Sequence, residues 1–368
     1  MATTSSAVLV EPRNIDMWEF PIPEIGAGAA LLTVEATGIC GSDWGPYNGT
    51  WMTSLPPLVL GHEVVGRVTE IGAEAAHRWG VSEGDRVVVE ESIPCGTCRL
   101  CRTGRYHMCD PLHTPDGLRY GLTPASLGPH IWGGFGEHLY VHPRSIVHRM
   151  ADSVPIEQAP LFIPLSNGIR WVERDGGTRV GDTVVIFGPG QHGLGCVIGA
   201  RLAGAGTIIV VGTGRDKARL DVARSLGAHH TVNVEDGPVE EQIRELTNGQ
   251  LADVVIEVTS GSATVLADAV ACAGVGATVI VAGSRGMAPA SGFSPDVLFL
   301  KELTLKGVYG HDYLSVRRAI ELIESGREPL DKLCTHTFPL QEADEALRTL
   351  GGESDATDAI HITVTPGK

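Results

Sequence analysis

No apolar run in the 368-residue chain reaches the roughly 18 to 20 residues that a helix needs to cross a bilayer, so a membrane span is excluded. Basic residues are short: Lys and Arg number 28 against 44 Asp and Glu, a net charge of −16, with the acids scattered along the chain. A nucleic-acid partner, which needs a basic face to displace the counterions of phosphate, is therefore not expected. The first residues, Met1-Ala2-Thr3-Thr4-Ser5-Ser6-Ala7-Val8, lack a basic segment followed by a long apolar one, so export is not expected and a cytoplasmic setting is. There are no internal repeats and no low-complexity tract. What is present is an ordinary globular composition, 43% hydrophobic and 20% charged, in a length that suits about two domains. Glycine stands out at 47 residues, a number that speaks for many tight turns and close backbone approaches.

Up to about residue 150 the pattern is short β-like runs broken by Gly and Pro, at 30–35, 63–71, 85–90 and 137–142. Near Thr183 the texture changes. A fully apolar run at 183–187 is followed by a Gly-rich turn, a helical stretch through Ala203 and a second apolar run at 207–211, the parts of a βαβ unit. Further apolar strands at 253–258 and 277–282 extend this to a doubly wound parallel sheet, and 313–325 reads as a helix. The expected organisation is an α/β sheet domain at 165–304 inserted into a mostly β partner made of 1–164 and 305–368.

Four of the eight cysteines crowd together as Cys95-x2-Cys98-x2-Cys101-x7-Cys109. Four thiolates so spaced can converge on one tetrahedral cation, and the closed sulfur shell leaves no open position. The expectation is a structural zinc in a lobe at about 90–110. An iron–sulfur cluster of the ferredoxin type would place the fourth Cys after three residues and Pro behind it, whereas here the gap is seven and Asp110 follows. Cys196, Cys272 and Cys334 sit in apolar runs and read as packing.

Gly188-Pro189-Gly190-Gln191-His192-Gly193 stands directly between the strand and the helical stretch. In that context the first Gly makes the turn, the second lets a pyrophosphate approach the backbone and the third packs helix on strand, which points to a dinucleotide, NAD or NADP. About twenty residues on, an NAD site usually supplies an acid to the ribose. Here Gly212-Thr213-Gly214-Arg215-Asp216-Lys217 offers Gly214 and Arg215 in that place, which leaves room and positive charge for a 2′-phosphate, while Asp216 keeps NAD open.

Cys40-Gly41-Ser42-Asp43 and Gly61-His62-Glu63 complete the set. With them the chain resembles the medium-chain, zinc-dependent alcohol dehydrogenases from about Ala7 to its end, with Gly133-Gly134-Phe135-Gly136-Glu137 and Thr335-His336-Thr337-Phe338-Pro339-Leu340 in family order. The resemblance implies a GroES-like catalytic domain, an inserted Rossmann domain and an active site in the cleft between them. It implies that Cys40 and His62 bind catalytic zinc, that Asp43 holds the His62 ring and that Ser42 carries the substrate proton. It further implies hydride exchange between an alcohol, or its aldehyde or ketone, and a nicotinamide cofactor, and a homodimer or homotetramer.

Two departures from the family pattern matter. Where relatives similar to polyol dehydrogenases read Glu-Pro-Leu, this chain has Ile163-Pro164-Leu165. An aliphatic side chain is no ligand, so the metal keeps two protein ligands and waters, recruits Glu63, or is lost; Glu63 restores the three-ligand count of a catalytic zinc. Gly45 stands near where many relatives place a proton-relaying His, so the relay shortens to Ser42, cofactor ribose and water. Two alternatives stay open: a reductase of activated double bonds or quinones without catalytic zinc, and an inactive dinucleotide-binding structural or regulatory protein. The long connection 110–132 reads as a substrate-side lid or a contact loop, and Trp44, Trp51 and Phe162 as candidates for a pocket wall.

Overall fold

A computed structural model describes residues 2–50, 57–110, 112–114, 116–260, 264–285, 288–290, 292–356 and 358–367. Two compact units emerge, Met1–Phe162 with Ile320–Lys368, and Ile163–Ala319. The first stretch of chain supplies β1 (Thr3–Glu11), β2 (Asn14–Pro21), β3 (Ala30–Ile39), helix α1 (Gly41–Asn48), β4 (Leu58–Val59), β5 (Glu63–Ile71), β6 (Arg86–Val89), β7 (Ser92–Ile93), β8 (Leu118–Arg119), β9 (His138–Val141) and β10 (Val147–Arg149). The middle supplies β11 (Thr183–Phe187), β12 (Thr207–Gly212), β13 (His230–Asn233), β14 (Ala252–Glu257), β15 (Ala273–Val281) and β16 (Thr304–Gly307). The last stretch gives β17 (Cys334–Pro339) and β18 (His361–Thr365).

In the first unit one sheet runs β10-β6-β5-β3-β18-β17, with β9 also pairing β3. β3 is its hub, antiparallel to β5 on one side and to β18 on the other. Its register sets Gly38 opposite both Glu63 and Thr363, which draws the start of β5 and the start of β18 to the same point. β-Branched residues fill these strands, and Val64, Val65, Val87, Val88, Val89 and Ile362 are fully buried. The two-residue strands β7 and β8 pair Ser92 with Arg119 and tie the end of β6 to the middle of the 110–132 connection.

The second unit is one six-stranded parallel sheet, ordered β13-β12-β11-β14-β15-β16. Its central strands are apolar on both faces, as a covered parallel sheet requires; Val184, Val185, Ile186, Ile208, Ile209 and Val210 have no exposure. Strand order reverses between β11 and β14, and in such sheets ligands bind beyond the carboxyl ends at the reversal. This unit runs to Ala319; β16, which begins at the boundary of 304 read from the sequence, adds to its parallel sheet beside β15. Among the described residues no helix is long and apolar enough to cross a membrane.

Candidate metal centre

The four-cysteine lobe forms as its spacing suggests. Sγ of Cys101 lies 3.6 Å from that of Cys98 and 4.0 Å from that of Cys95, and one sulfur from each of Cys95, Cys98, Cys101 and Cys109 falls within 4.8 Å of the others. Four sulfurs about 2.3 Å from a central zinc stand about 3.8 Å apart, so the set fits that ion. Backbone N–H groups aim at the sulfurs, from Cys98 to Cys95 at 3.2 Å and from Cys95 to Cys109 at 3.2 Å. Hydrogen bonds from the Thr97 side chain and backbone hold the Cys95 thiol down at about 6, whereas burial pushes Cys101 up to about 12. Zinc displaces those protons when it binds. None of the eight cysteines is in a disulfide.

The second cluster grows from the ends of β3 and β5. Cys40 leaves β3 and caps α1, where Asp43 closes a reciprocal capping box by accepting the Cys40 N–H at 2.9 Å. His62 sits at the head of β5, after Gly61, whose φ of +85° and close approach to Phe135 exclude a larger residue. Its Nδ1 lies 3.3 Å from Asp43 Oδ1, which turns Nε2 the other way. Burial alone would lower the His62 pKa, but the charge of Asp43 raises it well above the usual value. Glu63 is fully buried and its Oε2 lies 3.2 Å from Nε2 of His361, across Gly38.

Cys40, His62 and Glu63 bring one ligand atom each within 4.8 Å of one another, all three residues being buried. A thiolate, an imidazole and a carboxylate are the donor types zinc takes, and three of them leave one position open. The set fits a catalytic zinc. Ser42, exposed on α1, has Oγ 3.4 Å from His62 Nε2. Ile163, buried in the second unit, offers only hydrocarbon.

Two features of the site escaped the sequence reading. His361 arrives from the far end of the chain and is placed only by β18 pairing. Glu91, with side-chain Oε2 3.7 Å from His62 Nε2, is held by Arg119 at 2.7 Å. A doubled acid, Glu90-Glu91, at the end of an apolar strand was the signal that could have flagged it. In the 110–132 connection Tyr120 and Trp132 are among the largest fully buried side chains, and Tyr120 Oη hydrogen-bonds Ser145 Oγ at 2.7 Å, so these two anchor it in the core while residues 126–128 are exposed. Phe162 is fully buried as well, Trp44 packs on Tyr47 and under Arg13, and Trp51 lies outside the described residues.

In the second unit the turn after β11 has the form its glycines demand. Gly188 has a φ of +103°, a Cβ on Gly193 would stand 1.8 Å from the Gly188 carbonyl oxygen, and a Cβ on Gly190 would meet nothing within 4 Å. Gly190 thus leaves open space before the helix Gln191–Leu202, whose N-terminus has no side-chain cap. That is where an anion is stabilised. β12 ends against this turn, Gly212 facing Pro189. Asp216 folds back to accept hydrogen bonds from Thr213 N and Oγ1, and Arg215 is exposed. Glu235, from the turn after β13, accepts the Gly214 N–H on Oε1 at 3.2 Å.

A GroES-like unit with a Cys, His and carboxylate cluster and a four-cysteine lobe, joined to a Gly-fingerprinted parallel sheet, defines a zinc- and dinucleotide-dependent oxidoreductase. Comparison with known proteins agrees. Residues 26–152 match the alcohol dehydrogenase GroES-like domain and residues 193–325 the zinc-binding dehydrogenase family. A protein of Mycobacterium tuberculosis named as an alcohol dehydrogenase is 42% identical over 99% of both chains, and the erythritol/L-threitol dehydrogenase of Mycolicibacterium smegmatis is 36% identical over 96% of this chain and 95% of that one. A solved zinc-binding dehydrogenase of Sinorhizobium meliloti, bound to NADP, superposes with a TM-score of 0.86 at 28% identity over the whole of both chains. The chain belongs to the zinc-dependent alcohol dehydrogenases of the medium-chain family and is an NAD(P)-dependent alcohol oxidoreductase.

Proposed function

We propose that Cys40, His62 and Glu63 hold a catalytic zinc, that Cys95, Cys98, Cys101 and Cys109 hold a structural one, and that Gly188, Gly190 and Gly193 receive the dinucleotide, with Gly214 and Arg215 at its adenosine end. The observation that carries this is the convergence of three buried ligand atoms of different chemistry within 4.8 Å. When bound, zinc supplies a Lewis acid for the substrate oxygen and the dinucleotide supplies the hydride acceptor. The chain's own residues do the rest. Asp43 fixes the His62 ring with Nε2 outward, His361 holds Glu63, and Ser42 takes the proton of the substrate hydroxyl. The relatives' names favour a small polyhydric alcohol or the matching carbonyl compound as substrate. A cytoplasmic homodimer or homotetramer belongs to the same reading, and the exposed Phe299 and Leu300 near the edge strand β16 suit cover by a second copy.

Ile163 favours the rival reading, a reductase of double bonds or quinones with structural zinc alone. Metal analysis separates the two. Two zincs per chain are expected, with Cys40→Ser leaving one, an unchanged far-ultraviolet dichroism and turnover reduced at least a thousandfold. One zinc in fully active wild-type enzyme would defeat the proposal.

A further inference from the structure

β6 runs out at Val89, and the next two residues are both acids; the second of them, Glu91, is 5% exposed. The short β7–β8 pair, Ser92 opposite Arg119, sets the Arg119 side chain beside Glu91, and NH2 donates to Glu91 Oε1 at 2.7 Å. NH1 of the same guanidinium donates to the fully buried Asp110 at 3.1 Å, and Asp110 in turn accepts Leu112 N–H at 3.0 Å and bonds His113 at 2.7 Å. A carboxylate gripped in this way keeps one orientation. That orientation puts Oε2 3.7 Å from His62 Nε2, the ring nitrogen turned away from Asp43, with Ser42 Oγ 3.4 Å from the same nitrogen. Ser42 Oγ and Glu91 Oε2 thus both stand within 3.7 Å of the His62 nitrogen that faces away from Asp43.

We propose that Glu91 is a specificity-determining residue whose carboxylate receives a second hydroxyl, on the carbon next to the reacting one, and so selects vicinal diols and longer polyols over simple alkanols. This rests on the zinc site described under Proposed function. A carboxylate has four lone-pair sites and accepts further hydrogen bonds while Arg119 holds one oxygen. An alkanol would instead lay aliphatic carbon on a desolvated charge, which is costly, and sites built around a substrate hydroxyl reject analogues lacking it strongly. Arg119 shares its one positive charge between Glu91 and Asp110, and its grip on Oε1 fixes the direction in which Oε2 meets a donor.

The test compares kcat/KM for butane-2,3-diol, butan-2-ol and a vicinal amino alcohol in zinc-loaded wild-type, Glu91→Gln and Glu91→Asp enzymes, with zinc content and calorimetric binding of the diol to the cofactor complex measured on each. Wild type is expected to favour the diol at least a hundredfold over butan-2-ol. In Glu91→Gln that ratio and the diol affinity should fall at least tenfold with two zincs retained, and Glu91→Asp should recover part of both. An unchanged ratio in Glu91→Gln, or preference for the amino alcohol in wild type, overturns the inference while leaving the zinc reading standing. Wild type with one zinc and no turnover of any alcohol overturns both.

Discussion

Gly214 follows β12 where an NAD site ordinarily shows an acid, yet the Glu235 carboxylate, carried on the turn after β13, bonds the Gly214 N–H from outside the strand. A Cβ at 214 would stand 2.6 Å from Glu235 Oε2, the far end of an exposed, flexible side chain that can swing aside. An anion at that place opposes a 2′-phosphate and suits a ribose hydroxyl, while the exposed Arg215 pulls the other way. Glu235 is exposed, so salt screens the effect. Glu235→Gln should improve NADP affinity relative to NAD by about threefold to tenfold, up to about 1.4 kcal/mol. Dissociation constants for both cofactors at low and physiological salt check this, and an unaltered ratio would place the ribose elsewhere.

Gly38 shows how a strand can be specified by what its neighbours need. Its backbone is ordinary β3 backbone, but Glu63 and His361 meet across it, and a Cβ would stand 2.1 Å from Glu63 Oε2 and 2.7 Å from His361 Nε2. Gly38→Ala should push Glu63 out of the cluster, reducing zinc from two per chain to one and costing about 1 to 3 kcal/mol of stability through overpacking. Metal analysis and urea unfolding read the two effects, and two tightly held zincs in the variant would show that Glu63 is not a ligand. That logic is invisible before folding, because Gly38 and His361 are linked only through β18. What depends on local pattern was legible: the runs at 63–71 and 183–187 are β5 and β11 to the residue, and the Gly-rich turn and four-cysteine lobe follow from spacing alone. What depends on long pairings was not. β7 and β8 are two residues each, too short to show a period, so the segment around Tyr120 and Trp132 read as a loop although it fills the core, and the Glu91–Arg119 contact stayed hidden with it.

At the scale of the whole chain, buried groups that take up protons only on unfolding make acid conditions a test of the fold, and His142 carries a definable share of that sensitivity. Burial, and secondarily the charge of Arg144, lowers its pKa to about 4, so it stays neutral in the folded protein. Its Nδ1 accepts the Arg144 backbone N–H at 3.1 Å, and the His142 backbone N–H donates to Tyr120 Oη at 3.1 Å. The unfolded chain binds a proton at His142 near pH 6.5, and the folded chain refuses it until about pH 4. Between these values the unfolded state holds more protons, so stability rises with pH there; acidification from 6.5 towards 4 removes it. His142→Gln retains an acceptor but does not titrate, and should therefore lose less stability than wild type between pH 7 and pH 5. Amide exchange of the neighbouring strand β9 at the two pH values, corrected for intrinsic rates, reads the first unit separately from the second. Equal losses in wild type and variant would assign the acid sensitivity to the carboxylates instead.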